Sequence, residues 1–272
     1  MGRFGFGVGL RRGAQCARKG ANGERLMLEI LVLCAAGFAT GALNAVAGGG
    51  TFISFPALVW LGVPPIMANA TATLTAIPGY AGSAWAFRRD IAAEGALSLS
   101  VMLLIASLGG LIGALLLTVT NEEVFMGLVP WLLLVATLIF AAGPKLLALL
   151  KGGGLGRLGS VAVTLAVSVY GGYFNGGLGI MLLAVFGLMG FANLHGMNGL
   201  KNLMSTMISI VSAGALAVAG LIAWKSAIVL ALATTAGGYF GAAYARKITN
   251  MTLLRGAIVA VGLIMTVLFF LK

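Results

Sequence analysis

Apolar runs of about 20 residues recur along the whole chain and constrain its fold more than any other feature. The hydrocarbon core of a bilayer is about 30 Å thick and takes about 20 apolar residues in a helix. Of the 272 residues, 60% are hydrophobic and 8% are charged, whereas a soluble domain has about 25% charged residues. The sequence therefore predicts an all-α polytopic membrane protein without a separate soluble domain. Runs of this kind include 26–47, 66–87, 95–119, 124–142, 197–223, 226–245 and 252–271.

The charged and reactive residues exclude several classes of function. The net charge is +11, but Lys and Arg flank the apolar runs, as in membrane proteins that are oriented by loop charge. We therefore expect the lipid bilayer as a partner and no nucleic acid. The chain has one histidine, and Cys16 and Cys34 show no metal-ligand spacing. Because a nucleophile–base pair is also missing, we expect no enzyme, no metal and no cofactor.

Residues 1–26 differ from the rest of the chain in composition and lack the periodicity of a helix. Their basic residues are Arg3, Arg11, Arg12, Arg18, Lys19 and Arg25. No compact apolar stretch with a small-residue cleavage site precedes the first run, so we expect no cleaved signal peptide. We interpret 1–26 as a basic, disordered tail. The alternative is that the protein starts at Met27.

The chain is internally repeated at a spacing of 128 residues. This shift aligns Gly48 with Gly176, Gly49 with Gly177, Gly62 with Gly190, and 70–74 with 198–202. Each half has a long apolar run, a glycine cluster, a short apolar segment, a polar turn and three more long runs. The sequence therefore predicts two transmembrane repeats, at 27–150 and 151–272.

The short apolar segments, 51–62 and 178–191, are too short to cross a membrane unaided. A 12-residue helix spans about 18 Å, against a core of about 30 Å. We expect about eight full transmembrane helices plus two short broken or re-entrant segments. Unwound backbone persists in a membrane only where protein, water or a ligand satisfies it. In transporters built from repeats, paired interruptions of this kind mark the substrate site.

The glycines allow a second interpretation, because small residues also permit close helix packing. We favour packing for Gly37 and Gly41, which lie four residues apart in one run. For the two clusters we favour a binding site, because packing does not require adjacent glycines followed by a shortened segment in both halves. The cluster residues are Gly48, Gly49 and Gly50 in the first half and Gly176, Gly177 and Gly179 in the second.

The placement of charge points to an anion as the ligand. The acidic residues lie at or near the ends of the apolar runs, so no carboxylate is available at membrane depth to bind a cation. Lys201, in contrast, heads a long apolar run, and an ionisable group at membrane depth is costly and is usually functional. The alternative is a lysine that snorkels to the interface. His195 is nearby, and we expect it to be solvated more readily than to carry protons.

The candidate substrate-binding residues combine these glycines and Lys201 with nearby amide and hydroxyl groups. Helix starts add free backbone N–H groups, which bind anions. For Thr75 we prefer a hydroxyl bond to its own helix. The full set is Asn44, Gly48, Gly49, Gly50, Thr51, Asn69, Thr71, Asn175, Gly176, Gly177, Gly179, Asn198 and Lys201.

The stretch 37–71, with its core NAVAGGGTFISFP, and the weaker echo GGYFNGGLGIMLL from Gly171 resemble the sulfite exporter TauE/SafE family of membrane transporters. The resemblance covers 27–272. It implies an inverted repeat, small anions such as sulfite or organosulfonates as substrates, and the bacterial inner membrane. The second half departs from the family pattern: Leu178 interrupts a glycine triplet, and 198–201 replace a small residue–Thr–Ser stretch.

We therefore expect a secondary transporter, an exporter of a small inorganic or organic anion across the cell inner membrane. An anion-selective channel is the alternative, because glycine breaks and helix dipoles also build anion filters. A homodimer is a possible assembly. The loop-charge rule compares the Lys and Arg residues on the two sides of the membrane. It favours a parallel repeat if the basic tail is counted and the two short segments do not cross the membrane. We nevertheless expect the inverted arrangement, because the resemblance implies it.

Overall fold

The computed structural model describes residues 6–46, 48–92, 95–149, 155–191, 193–245 and 251–271. Within these ranges the chain is all-α, with ten helices and no strand. This confirms the predicted helical class. The helices are α1 Phe6–Val46, α2 Thr51–Trp60, α3 Pro65–Ala86, α4 Leu99–Thr118, α5 Glu122–Leu149, α6 Arg157–Tyr173, α7 Leu178–Leu188, α8 Leu194–Val218, α9 Trp224–Ala245 and α10 Met251–Phe270.

Helix α1 differs from the expectation for the start of the chain. It begins at Phe6 and so runs through most of the basic segment for which we expected no helix. The part of α1 that is long and apolar enough to cross a membrane is Gly23–Ala45, which starts close to the predicted end of the tail at residue 26. The division into a tail and a first repeat stays a prediction.

Four described helices are long and apolar enough to span a membrane. They contain the segments Gly23–Ala45, Leu99–Thr118, Glu122–Ile139 and Gly196–Val218. Several long apolar helices confirm a multi-pass protein, whereas the count of eight spans stays a prediction. Helix α3 is less apolar because it contains Asn69 and several threonines. These polar side chains are buried within the protein. A helix that does not face lipid along its length needs no continuous apolar surface.

The two short helices, α2 and α7, follow the two predicted interruptions. They end in the same backbone turn at a spacing of 128 residues. In α2, Gly62 N–H donates to Val59 O and has φ +86°; in α7, Gly190 N–H donates to Gly187 O and also has φ +86°. Because L-residues with a side chain rarely adopt a positive φ, both turns require glycine. The repeat seen in the sequence is therefore also a repeat of the backbone.

Glycines bring the first helix of each half against a helix of the other half. A Cβ at Gly41 of α1 would overlap the carbonyl of Thr234 in α9, and one at Gly37 would lie 2.7 Å from Ala233 Cβ. This confirms close packing as the use of Gly37 and Gly41. In the corresponding contact, a Cβ at Gly113 of α4 would overlap the Val169 carbonyl in α6, the first helix of the second half.

A second glycine motif, with the same 128-residue spacing, was not predicted. Its members are Gly109, Gly110 and Gly113 in α4 and Gly237, Gly238 and Gly241 in α9. The two halves, α1–α5 and α6–α10, pack on each other in a symmetric way. Helix α1 packs on α9, and the equivalent helix α6 packs on α4. Helix α3 likewise packs on α9, and the equivalent helix α8 packs on α4. Helices α3 and α8 pack on each other across the centre of this arrangement.

Candidate functional site

The two interrupted helices meet inside the protein. A Cβ built on Gly179, in the first turn of α7, would lie 3.0 Å from Gly48 Cα. Thr51 Oγ1, at the start of α2, donates a hydrogen bond of 3.1 Å to Asn175 O. The structure thus brings the two glycine clusters together, although they lie 128 residues apart in the chain. Their role in binding substrate stays a prediction.

Lys201 lies directly at this junction. Its side chain is 0% exposed, and a Cβ at Gly48 would lie 3.4 Å from Lys201 Nζ. A Cβ at Gly179 would lie 3.2 Å from Lys201 Cδ. The lysine stem therefore fills the space that two glycines leave free. The ammonium is enclosed by protein, in contrast to the alternative in which it snorkels to the interface.

The ammonium of Lys201 has a neutral partner. Lys201 Nζ donates to Asn198 Oδ1 at 3.2 Å, and no described carboxylate forms an ion pair with it. A buried ammonium without a counter-charge is costly. An anion at this position would supply the missing negative charge.

The backbone adds positive potential near Lys201. Gly177, the N-cap of α7, adopts φ +73°, which lets the chain turn sharply into the short helix. Leu178 N–H donates to Asn175 O and Ile180 N–H donates to Gly177 O at this turn, and the helix N-terminus as a whole carries a partial charge of about +0.5. A lysine packed against the first turn of α7 is therefore in an unfavourable field unless an anion is present. Both features favour negative charge at the junction.

Asn175 holds the junction together through its side chain and its carbonyl. Its Oδ1 accepts a hydrogen bond from Tyr80 of α3 at 3.2 Å, and its Nδ2 donates to Ser209 of α8 at 2.9 Å. Its backbone oxygen accepts from Thr51. One residue of the second break thus joins α2, α3 and α8.

Asn44 stabilises the break before α2. Gly50 N–H donates to Asn44 Oδ1 at 2.8 Å, and Thr40 Oγ1 donates to Gly50 O at 3.0 Å. A Cβ at Gly50 would overlap the Thr40 carbonyl, so the close approach requires glycine. The Nδ2 atom of Asn44 is buried without a hydrogen-bond partner among the described residues.

Other predicted polar residues bond elsewhere in the protein. Asn69 Nδ2 donates to Tyr173 O at 2.9 Å, at the end of α6. Thr71 Oγ1 accepts from Ala223 N–H at 3.0 Å, just before α9, so its hydroxyl ties α3 to a loop. Thr75 Oγ1 donates to Ala72 O at 3.1 Å, which confirms the preferred internal bond. The side chain of His195 lies outside the described residues.

A polar face on α8 was predicted only at Asn198 and Lys201, although the spacing of its other members was also visible in the sequence. We call it the α8 polar face; its members are Asn198, Lys201, Asn202, Ser205, Ser209 and Ser212. Spacings of three, four and seven place them on one side of a helix. Asn202 and Ser205 are buried, and their side-chain polar atoms hydrogen-bond to no described residue. Tyr80 was also missed; it lies eleven residues, about three turns, after Asn69 on α3.

No group of His, Cys, Asp and Glu within the described ranges could hold a metal ion. The polar groups that the junction contains are one ammonium, amides, hydroxyls and backbone N–H groups. These groups match the oxygen atoms of a small anion.

Known proteins are similar to this chain over most of its length. The family described as Sulfite exporter TauE/SafE matches residues 33–269. A Haemophilus influenzae protein named "Probable membrane transporter protein" is 30% identical over 245 residues, which cover 87% of this chain and 92% of that protein. A Sinorhizobium sp protein named "Probable membrane transporter protein ORF9" is 26% identical over 221 residues, covering 78% and 82%. No solved structure gives a significant match.

Proposed function

The chain belongs to the TauE/SafE family of membrane transporters, and on that premise we propose that it is a secondary transporter for a small oxyanion. The substrate class is sulfite, an organosulfonate or a related anion, and the direction is export across the inner membrane. The names of two relatives contain the word transporter, which favours a carrier over a channel.

One observation carries this proposal: a fully buried lysine without a described carboxylate partner lies where two interrupted helices meet. The ammonium of Lys201 and the N-terminus of α7 are both positive and repel each other. This repulsion raises the free-energy cost of the buried ammonium when no anion is bound. An oxyanion lowers that cost by accepting a hydrogen bond from Lys201 and by its attraction to the positive end of α7. The site is thus suited to negative charge and unsuited to a cation.

The symmetry of the packing suggests how the site would open to each side in turn. Alternating access in repeat transporters is a rocking of one repeat against the other around a fixed site. Here Gly48 belongs to the first half, whereas Gly179 and Lys201 belong to the second. We propose that the two halves are inverted repeats and that movement between them exposes Lys201 alternately to the two sides.

Transport by purified protein in proteoliposomes tests the proposal. We expect saturable sulfite uptake that is stimulated by sulfite loaded on the opposite side. Lys201→Met removes a charged hydrogen bond worth about 1.5–3 kcal/mol, which weakens binding roughly tenfold to hundredfold. Lys201→Arg keeps the charge but not the shape, so it should retain partial binding.

Lys225→Met is the matched control, because Lys225 is an exposed lysine in the first turn of α9. It should transport like the wild type. Unchanged apparent affinity in Lys201→Met would contradict the proposed anion site. Unsaturable electrical conductance without counter-transport would instead identify a channel.

A further inference from the structure

Asn202 and Ser205 are buried polar residues for which the described protein provides no partner. Both are 0% exposed, and Asn202 Nδ2, Asn202 Oδ1 and Ser205 Oγ form no hydrogen bond with a described residue. A buried polar group without a partner costs free energy, and native proteins hold few of them. Three such atoms within one turn of a helix therefore point to a missing ligand.

Helical spacing places these atoms on the same side of α8 as Lys201. Residues three or four apart on a helix have Cβ atoms about 5–6 Å from each other. Ser205 is four residues from Lys201 and three from Asn202, and Asn202 is four residues from Asn198. The unpartnered side chains and the lysine thus lie on one side of α8, which we call the patch, and Lys201 packs against Gly48 and Gly179.

The patch contains an acceptor as well as donors. Lys201 has donors only, Asn202 has two N–H donors on Nδ2 and an acceptor at Oδ1, and Ser205 has one donor and two acceptor positions. An anion whose polar atoms are all acceptors can satisfy Lys201, Asn202 Nδ2 and Ser205. It leaves Asn202 Oδ1 buried and unpaired. A ligand that also carries an O–H or N–H group satisfies every atom of the patch.

We propose that Asn202 and Ser205 form a specificity subsite that selects anions with a hydrogen-bond donor beside the oxyanion group. The ligand class is a protonated oxyanion or a sulfonate with a hydroxyl or amino group. In this arrangement Lys201 holds the charge and Asn202 Oδ1 accepts from the donor. The inference rests on the proposed function, because it takes Lys201 as the anion-binding group.

Two pairs of matched anions test the subsite, with affinities measured by calorimetry on the purified full-length protein. The first pair is 2-hydroxyethanesulfonate and ethanesulfonate, which differ by a hydroxyl on the tail. The second pair is singly protonated methylphosphonate and methanesulfonate, which differ by an O–H on the oxyanion itself. We expect the donor-bearing member of at least one pair to bind roughly tenfold tighter. The pair that shows the preference identifies where the donor lies.

Asn202→Leu is the decisive variant, because leucine has a similar volume and no polar atom. It should abolish the preference by weakening the donor-bearing anion about tenfold more than the donor-free anion, which loses only the bond from Asn202 Nδ2, with a melting temperature equal to or above that of the wild type. Ser205→Ala should reduce the preference in part. Ser212→Ala is the control on the same face, since Ser212 Oγ donates to Ile208 O of its own helix; it should keep the full preference.

The outcomes separate the two proposals. Equal affinities within both pairs, or a preference that persists in Asn202→Leu, would overturn the subsite and leave the anion site at Lys201 intact. If no anion binds, sulfite included, the proposed function fails and the subsite fails with it.

Discussion

At the scale of single residues, two asparagines stabilise the two breaks in different ways. Asn175 uses both side-chain polar atoms, with Tyr80 and Ser209 as partners. Asn44 uses only Oδ1, which accepts from Gly50 N–H, and its Nδ2 is unpaired within the described protein. Removing the Asn175 amide leaves two buried hydroxyls, those of Tyr80 and Ser209, without this partner. Removing the Asn44 amide leaves only Gly50 N–H without its partner, and it also removes the unpaired Nδ2.

We therefore predict that Asn175→Leu destabilises the protein more than Asn44→Leu does. Each stranded buried group costs about 1–3 kcal/mol, so the first substitution carries about twice the penalty of the second. Thermal unfolding in one detergent measures both. Tyr80→Phe with Asn175→Leu should be less destabilising than the sum of the two single changes, because they share a bond. A larger loss in Asn44→Leu would contradict this assignment.

At the scale of helices, close glycine contacts hold the two halves together. Gly41 of α1 and Gly113 of α4 both face backbone atoms of the opposite half, at Gly238 N and Tyr173 N respectively, each 2.6 Å from a Cβ built on the glycine. No side chain fits there unless the helices separate. Backbone cannot move aside as a flexible side chain can, so these contacts fix the distance between α1 and α9 and between α4 and α6.

We predict that Gly41→Ala lowers the melting temperature, because overpacking costs about 1–3 kcal/mol. Gly113→Ala should have a similar effect, since Gly113 lies in the corresponding contact between α4 and α6. Gly82→Ala is the control: Gly82 is helical, and a Cβ built on it has no neighbouring atom within 4 Å. Alanine there should be neutral or stabilise by up to about 1 kcal/mol. Equal melting temperatures for Gly41→Ala and Gly82→Ala would be inconsistent with close packing.

At the scale of the whole molecule, the packing is symmetric under exchange of the two halves, but symmetry alone leaves their relative orientation in the membrane open. An odd number of crossings per half inverts the second repeat, and an even number keeps it parallel. The loops α3–α4 and α8–α9 lie at corresponding places in the two halves. Their sidedness therefore distinguishes the two arrangements.

We predict that these two loops lie on opposite sides of the membrane. Single cysteines at Ala92 and Ala219, both exposed, would be introduced after Cys16 and Cys34 are replaced by serine. A membrane-impermeant maleimide should then label one cysteine in right-side-out vesicles and the other in inverted vesicles. Labelling of both in the same preparation would contradict the inverted arrangement and indicate an even number of crossings between the two loops.

The features that could be predicted from sequence are those that depend on neighbours along the chain. Apolar runs longer than a bilayer crossing predict helices, and adjacent glycines predict where α2 and α7 begin. The 128-residue spacing predicted a repeat that the backbone shows at Gly62 and Gly190. The α8 polar face was also readable, because helical spacing alone places residues on one side.

The partners of each polar group depended on the packing of distant helices. Asn175 bonds to Tyr80, 95 residues away, at the junction of the two interrupted helices. Thr71 bonds to Ala223, 152 residues away, in the loop before α9. No pattern in the neighbouring sequence predicts which polar residue bonds at the junction and which bonds to a loop. Lys201 could be recognised as an unusual cation from its position in an apolar run. Its enclosure between Gly48 and Gly179 arises only when both halves pack together, because each half alone supplies one side of the space that the lysine fills.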